Sequence, residues 1–380
     1  PQREMPKSSC PEPRRRASLA LAVLLSLAAV SAFPAESTCD LTGVARVVAI
    51  PDVHGAYDQF VAVLKMAGLV DDRLHWSGGT THLVQLGDMV DRGPDSRKAL
   101  DLLMQLEDEA RRAGGRVHAL LGNHEVMNML GDMRYVNPGE YEAFRGPNSE
   151  ALRNRYYRTV ASEARDQARR AGKPFDEAVF REQFFKETPL GFVEKRQAFG
   201  ADGVYGRWLR RHDTVVKING VLFLHGGISP LAAPLGCATI NETVRRELTS
   251  DIAHTRADPL TTVAAREVGP LWYRGLAKED EATFAPAVDS ILQAMQARAI
   301  VVAHTVTGDG HIHVRFGGRV FTTDVGMVQS LGGNRAALEI APDGFWALYP
   351  SGREPLSTSP SPSAAPPSPP TGSGSPPPRP

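Results

Sequence analysis

Gly87-Asp88-Met89-Val90-Asp91-Arg92-Gly93 sets two carboxylates and a guanidinium side by side, between glycines that permit tight backbone turns. The apolar run before it, residues 82–86, reads as a buried strand, and Pro94 can open a helix at its first position. The loop therefore sits at the carboxyl end of a strand, where α/β folds gather ligand-binding residues. Carboxylates and a guanidinium converging there suit metal ions and a phosphate. An ordinary acidic turn capping a helix is the plain alternative, and the rest of the chain decides between them.

The strand-then-polar-turn pattern recurs. Residues 44–50 form a β-branched run ending at Pro51-Asp52-Val53-His54-Gly55, and residues 116–121 run into Gly122-Asn123-His124-Glu125. Residues 214–218 and 221–224 bracket Asn219-Gly220, a two-residue hairpin signal, and the second strand ends at His225-Gly226-Gly227. A further strand, residues 299–303, ends at His304. Collected, these ends give Asp52, His54, Asp88, Asn123, His225 and His304. Carboxylate oxygen with imidazole nitrogen suits manganese, iron or zinc better than calcium. Asp52 and His54 are two apart, so in extended backbone they face one side and can share an ion. Asp88 can bridge to a second ion that Asn123, His225 and His304 complete. Two aspartates offset about half the charge of two divalent ions, so such a pocket stays positive toward a phosphate dianion.

The elements that must position these residues are equally readable. Helices are expected over residues 57–67 and 94–113, the second stopped by Gly114-Gly115. Residues 148–186 turn charged and helical, with helices over 149–170 and 175–185 broken at Gly172-Lys173-Pro174; this insertion is either a solvated surface or a cap over the site. Hairpins are expected around Gly317-Gly318 and Pro342-Asp343-Gly344. Helices alternate with strands early and strands dominate late, which fits an α/β or α+β chain with a layered sheet core.

Composition limits the partners. At 380 residues the chain can bury a sizeable core, and 43 basic against 43 acidic residues give no long-range field for nucleic acid or anionic lipid. Phosphate recognition must be local. Residues 1–32 read as a cleaved export signal: Met5 as the start, Arg14-Arg15-Arg16, an apolar core over 17–30, and Val30-Ser31-Ala32 as the cleavage site. The apolar run is short for a membrane anchor, the alternative, so no stable insertion is expected after cleavage. Export would place the protein in the periplasm or outside the cell. It would also leave Cys39 and Cys237 as a potential pair in an oxidising compartment. Residues 351–380 are mostly Pro, Ser and Gly and are expected to form an unstructured tail, leaving residues 40–349 as the catalytic domain.

In order, Pro51-Asp-Val-His-Gly, Gly87-Asp-Met-Val-Asp-Arg-Gly, Gly122-Asn-His-Glu, His225-Gly-Gly and Ala303-His-Thr resemble the phosphoprotein phosphatase family of calcineurin-like metallophosphoesterases. Residues 123–136, Leu271-Trp-Tyr-Arg-Gly and Asp324-Val-Gly-Met resemble its Shewanella-like branch. The resemblance spans residues 44–348 and implies a central β-sandwich flanked by helices. It also implies a phosphomonoesterase in which two divalent ions, manganese foremost, deliver an in-line hydroxide. Asp52, His54 and Asp88 would hold one ion; Asp88, Asn123, His225 and His304 the other. His124 would protonate the leaving oxygen, oriented by Asp91, while Arg92 and Arg274, with Asn123, would hold the phosphoryl group. Pro51 stands where family members often carry glycine, which removes an N–H but leaves the ligand positions intact.

The expected substrate is a phosphorylated protein or small phosphomonoester, with a phosphotyrosine leaning that comes only from the branch. A nucleotide phosphodiesterase or dinucleoside polyphosphate hydrolase is the competing enzyme. Many such enzymes carry a second histidine two positions after the last motif histidine; here that position is Val306. A silent binding protein on the same fold would have lost a ligand or the acid, and none is lost. Glu125 is expected to support ligands rather than bind metal, Trp272 and Tyr273 to line the pocket, and His75, His82, His118, His212, His254, His311 and His313 to stay outside it.

Overall fold

The computed structural model describes residues 39–356, so the expected export signal and residues 357–380 of the expected tail lie outside the described part. Twelve strands are β1 (Asp40–Leu41), β2 (Val47–Ile50), β3 (His82–Gln85), β4 (Arg116–Ala119), β5 (Val215–Ile218), β6 (Val221–Leu224), β7 (Ala299–Val302), β8 (His313–Arg315), β9 (Val320–Thr322), β10 (Ala337–Ala341), β11 (Gly344–Tyr349) and β12 (Gly352–Pro355). They build two six-stranded sheets, ordered β12-β11-β10-β2-β3-β4 and β1-β5-β6-β7-β9-β8.

Strand period explains the layering. In β2 every residue is buried, because alternate side chains serve different cores. Val47 and Ala49 face the inter-sheet core with Val84, Phe223, Val301 and Phe321, whereas Val48 and Ile50 face helix Tyr57–Met66 and helix Ser96–Arg112 through Phe60, Leu64, Leu100 and Leu103. The other sheet sends Val215, Leu222 and Ile300 outward against Ile240, Val288 and Ile291 of helices Gly236–Glu247 and Glu281–Met295. Phe321 and Phe345 stack at 4.4 Å between ring centroids in the inter-sheet core. The result is helix, sheet, sheet, helix, as the alternation of elements foretold.

Parallel pairing of β2, β3 and β4 brings their carboxyl ends to one edge of the sandwich. Parallel pairing of β6, β7 and β9 does the same in the second sheet. The Asn219-Gly220 hairpin forms with both residues at positive φ, +51° and +75°, the conformation its two-residue turn requires.

Some boundaries shift for physical reasons. The helix expected from Pro94 begins at Ser96, whose hydroxyl is engaged by the backbone N–H of Asp91 and the carboxylate of Glu140. The helix expected from residue 175 begins at Glu177, because the Asp176 carboxylate caps Ala178 N and Val179 N. Residues 352–355, assigned to the tail by composition, instead form β12 on the sheet edge. Arg353 anchors it, pairing with Glu339 at 2.5 Å and lying 3.7 Å above the Trp346 ring.

Cys39 and Cys237 are joined as a disulfide with Cα atoms 6.2 Å apart and a sequence separation of 198. Closing so long a loop restricts the unfolded chain, by up to about 5 kcal/mol on chain-entropy reasoning. Among the described residues no helix is long and apolar enough to cross a membrane.

Candidate metal centre

Each site residue arrives at the end of a strand. β2 delivers Asp52 and His54, β3 delivers Asp88, Asp91 and Arg92, β4 runs into helix Asn123–Leu130, and β6 and β7 end at His225 and His304. Turning so sharply strains the backbone. His54, Asp88, Asp91, Arg92 and His304 all have positive φ, between +49° and +70°, a region that L side chains avoid unless the surroundings enforce it. Backbone links do the enforcing: Val53 N and His54 N both donate to Asp88 O, at 3.0 and 2.8 Å, and Ala303 N donates to His225 O at 2.8 Å. Gly87 and Gly122 let two of these turns touch, since a Cβ on Gly87 would come within 2.6 Å of Gly122 backbone atoms.

The donor atoms themselves settle whether a cation fits. His225 Nδ1 lies 2.9 Å from Leu86 O, so its N–H goes there and Nε2 presents a lone pair. Facing that lone pair are Asn123 Oδ1 at 2.9 Å, His304 Nδ1 at 3.1 Å and Asp88 Oδ2 at 3.2 Å. The Asn123 amide nitrogen is turned 4.0 Å from Met127 Sδ, which leaves its oxygen for the pocket. Two oxygens and two ring nitrogens so gathered suit a positive charge. Beside them His54 repeats the arrangement: Nδ1 meets Val90 O at 2.9 Å, and Nε2 lies 3.7 Å from both Asp52 Oδ2 and Asp88 Oδ2. Carbonyl-oriented imidazoles of this kind are how proteins aim metal ligands.

Electrostatics agrees. Burial holds His54 down to about 4 and, with the neighbouring His225, His304 down to about 2, so both rings are neutral and able to ligate. Burial opposes the charge of Asp88, yet His225, His124 and His54 around it outweigh that cost and keep its carboxyl well below the usual carboxylate range. Asp52 is pushed well above that range by burial, Asp324 and Asp88. Crowded carboxylates in a dry pocket are what a bound divalent ion relieves.

His124 stands apart from the other rings. Its Nδ1 is 2.7 Å from Asp91 Oδ2, its backbone N donates to Asp88 Oδ1 at 2.9 Å, and its Nε2 lies 3.8 Å from Asp88 Oδ2. Burial lowers its pKa, but Asp88 and Asp91 more than compensate, so the ring is raised above the ordinary imidazole value. His124 also falls within a possible three-donor cluster with His54 and Asp88. Its bond to Asp91 favours the doubly protonated ring, a proton donor rather than a ligand. Asp91 is itself held by Asn128 Nδ2 at 3.0 Å.

Two guanidiniums border the pocket. Arg274 Nη1 donates to His304 O at 2.7 Å and Thr305 Oγ1 at 3.0 Å and feels Asp52, Asp324 and Asp88, so it is a pocket residue, with no ion pair elsewhere among the described residues. Arg92 lies 5.3 Å over the Tyr135 ring and keeps a buried Nε without a hydrogen-bond partner. Trp272 stands edge-on to His304, with ring centroids 6.0 Å apart, whereas Tyr273 packs into the outer core. Glu125 supports rather than ligates: its oxygens accept from the backbone N–H groups of Asp88, Met89 and Gly122 at 2.8 to 2.9 Å. Burial raises it to about 7.

Three contributors escaped the sequence reading. Asp324, at the end of β9, is buried and hydrogen-bonded to Asp52. Its motif was noticed, but not its carboxylate as part of the pocket. Lys195, fully buried on helix Phe192–Phe199, meets Glu140 at 2.5 Å and lies 3.9 Å from Asp91. Glu140 in turn takes the Ser96 hydroxyl at 2.7 Å. Only burial distinguishes this lysine and glutamate from their solvated neighbours, and sequence does not reveal burial.

A two-sheet sandwich with histidine, carboxylate and amide donors converging from both sheets defines a metallophosphoesterase. A family model described as calcineurin-like phosphoesterase matches residues 45–308, and the chain belongs to that family. An uncharacterised protein of Schizosaccharomyces pombe is 32% identical over 78% of this chain and 77% of its own length. Shewanella-like protein phosphatase 2 of Arabidopsis thaliana is 35% identical over 53% of this chain, which spans about half of that relative (51%). The crystal structure of a cold-active protein-tyrosine phosphatase from a psychrophilic Shewanella aligns with TM-score 0.63 and 30% identity, over 83% of this chain and 81% of that one.

Proposed function

We propose that the chain is a metal-dependent phosphoprotein phosphatase with a leaning toward phosphotyrosine. The observation that carries the reading is the meeting of Asp88, Asn123, His225 and His304 side chains around one small volume. Asp52, His54 and Asp88 would hold one divalent ion and Asp88, Asn123, His225 and His304 a second, manganese foremost, with iron or zinc as alternatives. When bound, such ions supply Lewis acidity, lowering the pKa of water and neutralising phosphoryl charge.

The chain's own residues do the rest. Arg92 and Arg274, planar donors at the rim, grip the phosphoryl oxygens, while Asn123, expected to join them, turns its amide nitrogen to Met127 and offers the pocket its oxygen. His124, kept protonated by Asp91, gives its Nε2 proton to the departing oxygen, a role worth roughly 10²- to 10⁴-fold. Relatives named as protein phosphatases, and a structural neighbour titled a protein-tyrosine phosphatase, support the substrate class. The Cys39–Cys237 disulfide supports export, because such bonds persist outside the reducing cytosol.

The test is turnover of phosphotyrosyl and phosphoseryl peptides, p-nitrophenyl phosphate and diadenosine tetraphosphate, after chelation and with manganese restored. The reading expects metal-dependent release of phosphate from peptides, fastest from phosphotyrosine. Cleavage confined to the dinucleotide would replace it with the polyphosphate hydrolase. Full activity after chelation would reject it.

A further inference from the structure

Away from the metal centre, a cavity of about 580 Å³ runs beside β4, lined by residues of helix Ser96–Arg112, by β4 itself and by Arg211, His212 and Asp213. β4 is the last strand of its sheet and pairs only with β3. Arg116 N and Leu120 N donate toward β3 and its approach, to Thr81 O and Gln85 O, so Val117 and Ala119 turn their N–H and C=O groups the other way. No backbone group among the described residues meets them. At the far end Leu121 N is taken by Asp213 O at 3.0 Å, which closes the groove.

Glu107, Asp108 and Asp213 line this edge with Arg111, Arg116 and Arg211, equal in number but not equally engaged. Each carboxylate that lines it is already engaged: Asp108 by Arg111 at 2.7 Å, Asp213 by Arg245 at 2.8 Å, Glu107 by the Trp208 indole at 2.7 Å. Arg116 and Arg211 are exposed and make no ion pair among the described residues. His212, also on the lining, leaves Nε2 buried without a hydrogen-bond partner. The opposite edge of the same sheet is different, since β12 ends in Pro355, which has no N–H to offer.

We propose that this groove docks an extended acidic peptide segment, which adds to β4 as a further strand and sets its carboxylates against Arg116 and Arg211. Main-chain bonds to Val117 and Ala119 would give affinity and the two arginines the charge preference, as in strand addition generally. The undescribed parts of this chain do not suit the role. Residues 357–380 contain no Asp or Glu and are rich in proline, and residues 1–38 carry more basic than acidic side chains. The occupant that Arg116 and Arg211 match by charge is an acidic segment of another protein.

The probe is a fluorescein-labelled peptide alternating Asp and Val over six residues, titrated into the full chain by anisotropy. Hydrogen exchange is followed over residues 116–120. Expected are saturable binding, slowed exchange at Val117 and Ala119, and roughly tenfold or greater weakening in an Arg116→Glu/Arg211→Glu variant whose p-nitrophenyl phosphate turnover is unchanged. The same peptide N-methylated at alternate residues should also lose about tenfold or more, as main-chain bonds vanish. Equal binding of the N-methylated peptide, or of a Lys-Val counterpart, would overturn the proposal. So would no saturable binding by the unmodified chain, which would mean that the arginines only guard the edge against aggregation.

Discussion

Two pairs of imidazoles meet in this molecule at the same separation. His225 Nε2 lies 3.1 Å from His304 Nδ1, and His118 Nε2 lies 3.1 Å from His82 Nδ1. The first pair is faced by Asp88 and Asn123 and fixed by the Leu86 carbonyl; the second feels the Arg116 cation and has no carboxylate paired with it among the described residues. Two rings in contact are thus not a metal site. What suits one to a cation is a carboxylate to match the ion's charge and a carbonyl that holds a ring's proton on the far nitrogen, as Leu86 O does for His225.

Breaking the first pair should have the largest effect. His225→Ala removes a proposed metal ligand, and kcat is expected to fall on the order of 10³-fold with one metal equivalent lost, read by turnover and elemental analysis. Lys195→Met comes next. It strands Glu140, and leaves Asp91 without its neighbouring cation, in a buried setting, so unfolding in denaturant should show a loss of about 3–5 kcal/mol. A Lys195→Met/Glu140→Gln double variant should regain part of that loss.

Third, His124→Ala should cost on the order of 10²-fold in kcat toward phosphoserine peptides and less toward p-nitrophenyl phosphate, whose leaving group needs no proton. Equal losses on both substrates would contradict the acid role. The smallest effect belongs to the second imidazole pair. His118→Phe should leave metal content and turnover unchanged. Burial, with Arg116, His82 and His212 nearby, holds His118 well below the ordinary imidazole value of 6.5, and burial holds His212 down to about 3. Protons therefore bind the unfolded chain first, so stability contributed by these neutral rings is present above pH 6.5 and is lost as the pH falls below it. His118→Phe should flatten that acid limb in thermal melts; an unchanged limb would show that the ring does not titrate with unfolding.

The six donor positions were legible because each ends an apolar strand, and strands announce themselves by β-branched runs and by the glycines that follow. Their convergence from both sheets required the fold, since His304 N and Asp52 Oδ1, 3.2 Å apart, are separated by 252 residues. Asp324 was obscured by brevity: β9 has three residues, too few for a pattern. Lys195 was obscured by company, as one cation in a charged stretch. Helix Glu281–Met295 was masked by Pro286 inside it, a residue that forgoes one intrahelical bond and that the helix keeps through its packing of Val288, Ile291 and Leu292. The helix over 149–170 was read correctly from its charge pattern, but its packing through Tyr157 and Phe184 against helix Glu177–Glu187 depended on partners that no local pattern supplies.

Anomalous diffraction from manganese-soaked crystals tests the central claim most directly. The account predicts two peaks, one bounded by Asp52, His54 and Asp88, the other by Asp88, Asn123, His225 and His304. A fully active protein with no peak beside Asp88, or with a peak at the His82 and His118 pair instead, would contradict it.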